Sequence, residues 1–94
     1  MRADIRQTPV AAKMLRCFLD GVEITNDCVA ADEESGIAVC LKRDSGGHAF
    51  VEDKTGSVAK EILEGIIELR FIDSVTPPIR ARLIEILRAT KPIV

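Results

Sequence analysis

Regular patterning begins at residue 14, where MLRCFLDGVEIT places two apolar runs on either side of Asp20-Gly21. Asp-Gly between alternating segments specifies a two-residue hairpin turn, because both central positions need positive φ. Alternation assigns Leu15, Cys17 and Leu19 to one face, with Val22 and Ile24 as partners across the turn and Glu23 and Thr25 toward water. A second hairpin is read in DCVAADEESGIAVCL, residues 27–41: strands at Cys28–Ala31 and Ile37–Leu41 flank the acidic turn DEESG, where Gly36 supplies backbone freedom. The faces of its second strand differ, with Ile37, Val39 and Leu41 on one side and Cys40 on the other. Further reversals are expected at 44–47 and 53–56, around a short strand containing Phe50 and Val51.

Residues 57–73, SVAKEILEGIIELRFID, fit two templates. A helix would set Ala59, Ile62, Leu63, Ile66 and Ile67 opposite Lys60, Glu61, Glu64 and Glu68. From Gly65 onward the alternation of Ile67, Leu69 and Phe71 with Glu68 and Arg70 matches a strand over 66–72. Gly65 is costly inside a helix and natural at a bulge, so 58–64 is read as strand too. The last element is helical: Thr76 at the cap, Pro77 at the first position, and a stripe of Ile79, Leu83, Ile86 and Leu87, ended by Pro92. Arg88 and Lys91 lie at its C-terminal end, where cations complement the helix dipole. Residues 1–13, MRADIRQTPVAAK, lack a sustained period and contain Pro9, and read as an arm.

The fold class expected is therefore mainly β (α+β). It is a small antiparallel meander or half-barrel in a single domain, 1–94, with an N-terminal arm (1–13), a β body (14–73) and one amphipathic C-terminal helix (76–90). Hydrophobic residues at 47% and charged residues at 30% fit a folded globule, and the apolar mass is aliphatic, with three Phe and no Trp or Tyr. That weighs against base-stacking nucleic-acid platforms. No apolar run approaches the roughly 20 residues that span a bilayer. Lys13 and Arg16 interrupt the only stretch that imitates a signal peptide, so an unprocessed chain made in the cytoplasm is expected, with no membrane partner.

Charge is unevenly spread. Residues 1–16 carry a net +3, residues 17–73 a net −8 and residues 74–94 a net +3. The basic ends either fold back across the acidic body of their own chain or reach a neighbouring subunit. An acidic middle also argues against direct contact with a nucleic-acid backbone. The residues nominated for interaction are Arg2, Arg6, Asp32, Glu33, Glu34, Arg80, Arg82 and Arg88.

Candidate chemistry is sparse. His48 lies beside Gly46-Gly47, with Ser45 and Asp44 nearby, but neighbours on one turn are poorly oriented to pass a proton. Cys17, Cys28 and Cys40 are separated by ten and eleven residues, without the close pairs typical of zinc sites, and read as reduced, buried thiols. Asp27, Asp32, Glu33 and Glu34 lack the alternation of a calcium loop, and the acidic turn reads as a solvated hairpin tip. No phosphate-cradling loop or dinucleotide fingerprint is present. No catalytic residue, cofactor or metal is assigned.

FLDGVEITNDCVAADEESGIAVCLKRD followed by LEGIIELRFI resembles the short β-rich proteins encoded within structural gene clusters of tailed bacteriophages and prophages. The matching positions are Asp20 and Gly21, Ala31 to Gly36, Leu41 to Asp44 and Gly65 to Phe71, within residues 15–72. The arm and the C-terminal helix lie outside the match. The resemblance implies a virion or assembly role, capsid-associated or head-to-tail, with other virion proteins or further copies as partners, and it supplies no catalytic residues. The alternative reading is a small acidic inhibitor of a host nucleic-acid-binding or defence protein, acting through Asp32, Glu33 and Glu34.

Overall fold

The computed structural model describes residues 1–52 and 56–94, so most of the reversal expected at 53–56 lies outside the described residues. Its elements are β1 (Arg2–Asp4), α1 (Pro9–Lys13), β2 (Leu15–Leu19), β3 (Val22–Glu23), β4 (Cys28–Asp32), β5 (Ile37–Leu41), β6 (Lys60–Glu64), β7 (Ile67–Phe71) and α2 (Pro77–Arg88). The strands form two antiparallel sheets, one in the order β1-β4-β5-β6 and one in the order β3-β2-β7. This is the mainly β class with a C-terminal helix that the patterning predicts. The meander holds from β4 through β6, but β7 then leaves it to pair with β2 in the other sheet.

The Asp20-Gly21 hairpin closes between Leu19 and Val22, with φ of 49° at Asp20 and 84° at Gly21. Asp20 has a second task. Its carboxylate Oδ1 accepts from Ile66 N at 2.8 Å and its own N–H donates to Ile66 O at 2.9 Å, latching the corner between β6 and β7. Gly65 sits in that corner, where an added Cβ would come within 2.7 Å of Leu19 Cδ1 and 2.8 Å of the Asp20 carboxylate. Gly65 N donates to Gly36 O at 2.9 Å, and a Cβ on Gly36 would lie 2.6 Å from Gly65 O. Two glycines therefore let the turn after β4 and the corner after β6 touch backbone to backbone.

The core has two compartments. On one face of the four-stranded sheet, Ala31, Ala38 and Cys40 meet Cys17, Ile67 and Leu69 of the other sheet, with α1 and α2 closing the end through Ala11, Ala12, Leu83 and Leu87. On the opposite face, Val29, Ala30 and Val39 are covered by Ile93 of the C-terminal tail, beside Ile37 and Leu41. The alternation read in β5 is thus real, and the side that carries Cys40 is covered by the chain's own second sheet.

Four expectations change. The first thirteen residues do not hang free as an arm: β1 pairs with β4, and Ala3, Asp4, Ala11 and Ala12 are buried. Thr76 stands at the cap of α2 without a side-chain hydrogen bond, its carbonyl accepting from Arg80 N at 2.8 Å. The α2 stripe is narrower than its sequence suggests, because the helix packs chiefly on α1 and β1: Leu83 and Leu87 are buried while Ile79 and Ile86 stay about half exposed. The Phe50–Val51 stretch forms only isolated bridges, Arg43 with Ala49 and Val51 with Val58.

The backbone contact at Gly36 sets a graded test. Gly36→Ala must bear both a positive φ of 68° and a clash with a carbonyl oxygen, and is expected to cost about 3 kcal/mol. Gly21→Ala also has a positive φ of 84° but meets open space, and should cost only about 1 kcal/mol. Urea unfolding of the two variants checks the order; equal losses would show that the Gly36–Gly65 approach carries no special weight.

Candidate functional site

The nominated charges are placed first by the N-terminal residues. Asp4 is 2% exposed, and its carboxylate accepts from Arg6 N at 2.8 Å, Arg6 Nε at 2.9 Å, Arg6 Nη2 at 2.9 Å and Gln7 Nε2 at 3.1 Å. The same side chains reach the far end of the chain: Arg6 Nη2 donates to Ile93 O at 3.2 Å, Gln7 Nε2 to Lys91 O at 3.1 Å, and Lys91 N to Gln7 Oε1 at 2.8 Å. Arg2 adds a second clasp, with Nε on Asp32 Oδ2 at 3.0 Å and Nη1 on Thr90 O at 3.0 Å. Glu33 adds a third, receiving the N-terminal ammonium at 2.7 Å and Leu69 N at 3.0 Å. The N-terminal basic end therefore does fold back on its own chain.

This corrects the reading of DEESG as a solvated tip. Asp32 is buried against Arg2 and also accepts from Glu34 N at 3.0 Å; Glu33 bridges the two sheets; of the three acids, only Glu34 is exposed. The cause is β1: once it adds to β4, the hairpin end lies under the chain's own N-terminus. The signal was available in the charge blocks, which offered intrachain pairing as one outcome.

The remaining nominated residues stay on α2. Arg88 Nη1 pairs locally with Glu85 Oε1 at 2.7 Å, and the Arg80 guanidinium lies 5.8 Å from the Phe71 ring centroid. Arg82 is exposed, and among the described residues it has no ion-pair partner. The structure thus brings Arg2, Arg6, Asp32 and Glu33 into internal clasps and leaves Glu34, Arg80, Arg82 and Arg88 on the surface.

The thiols converge although their spacing gives no hint of it. Cys28 and Cys40 are cross-strand partners in β4 and β5, Cys28 Sγ donates to Ala30 O at 3.4 Å, and Cys17 of the other sheet lies near enough to influence Cys28. The neighbouring Cys17 thiol, with burial second, pushes Cys28 far above the ordinary thiol range, and burial raises Cys40 to about 11. Cys17 and Cys28 line a cavity of about 260 Å³ with Ala3, Ala12, Leu15 and Leu69. His48 lies in an exposed turn, its Nδ1 3.8 Å from Asp44 Oδ1, while that same oxygen accepts from Gly46 N and His48 N. Among the described residues no group of three or more His, Cys, Asp and Glu side chains is placed to hold a metal ion.

Beside the surface charges, large apolar side chains are also left outside. Val22, Phe50, Val51, Val58, Ile62, Ile66, Ile79 and Ile86 are exposed large hydrophobics. None of these side chains is among the charged residues nominated for interaction. Among the described residues no helix is long and apolar enough to cross a membrane.

Two outcomes follow. Burial raises the Asp4 and Asp32 carboxyls, but hydrogen bonds from Arg6 and Gln7, and from Arg2 and Glu34 N, outweigh it and hold both below the ordinary 3.8. A depressed folded value means that this stabilisation is complete above 3.8 and is lost as pH falls through the folded values. Asp4→Asn should cost about 3 kcal/mol at neutral pH and flatten the acid limb of a stability-against-pH curve measured in urea. An unchanged acid limb would remove Asp4 from that role. For the thiols, a folded chain should react with Ellman's reagent at pH 8 at less than about a tenth of the rate of the urea-unfolded chain; comparable rates would contradict their enclosure. Compared with known proteins, the chain matches no protein-family model, no curated protein and no solved structure.

Proposed function

We propose that this chain is a non-catalytic interaction protein that works by binding neighbouring subunits, as a minor component of a tailed-phage virion, capsid-associated or head-to-tail. The observation that carries the reading is the division of its surface chemistry. Asp4, Asp32, Glu33, Arg2 and Arg6 are taken up in bonds within the chain, and the three thiols are enclosed or half-buried. Aliphatic side chains are exposed instead, Ile62 at 53% and Ile66 at 77%. Apolar residues beside sheet edges are suited to protein contacts rather than to small-molecule chemistry. The tailed-phage setting comes from the resemblance over residues 15–72 and from the fit between that class and a small β body.

The inhibitor alternative draws less support, because Asp32 and Glu33 already hold Arg2, the N-terminus and Leu69 N, which leaves Glu34 as the free carboxylate of the three. Mass spectrometry of particles purified from a producing host, paired with light scattering of the isolated chain, tests the proposal. The chain should band with particles through a density gradient. A stable monomer absent from every particle fraction would end it.

A further inference from the structure

Each sheet has two edge strands, and the chain itself restricts three of the four. β1 is three residues long and is held through Arg2 to Thr90 O beyond α2. β3 has two residues. β7 points Leu69 N outward, where Glu33 Oε2 receives it at 3.0 Å. The fourth edge, β6, is five residues long and is different. Bonds from Gly65 N to Gly36 O and from Lys42 N to Ala59 O bracket its pairing with β5, so Glu61 and Leu63 direct their backbone groups toward β5. Lys60, Ile62 and Glu64 direct theirs away, and among the described residues nothing meets those N–H and C=O groups.

We propose that the free edge of β6 pairs antiparallel with β6 of a second copy, about a two-fold axis through Ile62. This deepens the proposed function by naming a neighbour, and it rests on that reading. The sequence of the edge is complementary to its own reversal. With Ile62 opposite Ile62, Lys60 comes opposite Glu64 of the second copy and Glu64 opposite its Lys60. Both charges lie on the outer face with Ile62, since 60, 62 and 64 are exposed while 61 and 63 are half-buried. Among the described residues Glu64 has no ion-pair partner, and the Lys60 ammonium donates only to Val58 O at 3.2 Å.

Charges on an edge normally discourage pairing, and here they discourage every strand except one with the reverse order of charge. In this register all the outward backbone groups of 60, 62 and 64 are satisfied on both copies, which an isologous contact requires. Ile62 also stands opposite Val39 in β5, at the rim of the cluster formed by Val29, Ala30, Val39 and Ile93. Pairing at Ile62 joins that cluster to its copy across the axis, in one continuous eight-stranded sheet.

Sedimentation of the full chain over a concentration series, with amide exchange read residue by residue, tests the pairing. Mass should move from monomer toward dimer, and exchange at Lys60, Ile62 and Glu64 should slow with concentration while Glu61 and Leu63 stay protected throughout. Lys60→Glu and Glu64→Lys should each weaken the dimer about tenfold, and the double exchange should restore it to within about threefold. Circular dichroism confirms that each variant is folded. A wild-type monomer at every concentration, a dimer indifferent to the single changes, or a folded double variant that fails to recover would each overturn the pairing. A monomer that still bands with particles overturns the pairing alone. A dimer with the expected exchange behaviour that is absent from particles keeps the pairing and overturns the virion reading.

Discussion

A carboxylate is one of the two largest side chains enclosed almost completely in this protein: Asp4, alongside Leu87. An ionised group there is tolerable only if its lone pairs are met, and four hydrogen bonds from Arg6 and Gln7 meet them. The consequence runs through the whole chain, because those two donors also hold Lys91 and Ile93, and Ile93 covers the outer face of the four-stranded sheet. Loss of the carboxylate would therefore loosen β1, the C-terminal tail and one of the two core compartments together.

Such dependence on a polar clasp follows from the thinness of the apolar core. Alanine supplies much of it, at positions 3, 11, 12, 30, 31, 38 and 59, with Cys17 and Cys40 among the rest. Small side chains bury little area each, at about 25 cal/mol per Å² of apolar surface removed from water. They also let elements approach closely, which is how two sheets and two helices enclose the larger of the two compartments. The Gly36–Gly65 contact belongs to the same economy of space, since it brings backbone against backbone where the chain passes from one sheet to the other.

Most strands were legible because alternation and turn chemistry are local. Asp20-Gly21, Gly36 and the 67–71 alternation each announce an element within a few residues. Partner choice was not legible, since no local signal says that β7 leaves the meander to join β2, or that three thiols at long spacing converge. β1 was hidden for a related reason: Arg2, Ala3 and Asp4 show too short a pattern to read as a strand, and it is the pairing of Arg2 with Asp32 that gives the segment its place. The charge blocks pointed toward that pairing without identifying its residues. Of the nominated charges, Arg2, Arg6, Asp32 and Glu33 are held in bonds within the chain, while Glu34, Arg80, Arg82 and Arg88 remain on the surface beside exposed aliphatics that the charge pattern does not point to.

A thin core and an apolar periphery occur together in this chain. The interior takes Ile67 and Leu69 from β7 and Leu83 and Leu87 from α2 beside its alanines and cysteines, while Ile62 and Ile66 at the β6–β7 corner and Ile79 and Ile86 of α2 remain on the exterior. Each such side chain left in water forgoes the roughly 1.5–3 kcal/mol that its full burial would contribute. A neighbour that covered them would add to that burial, and binding of that kind would stabilise the folded state by mass action. Stability and association would then be linked through the same exposed side chains.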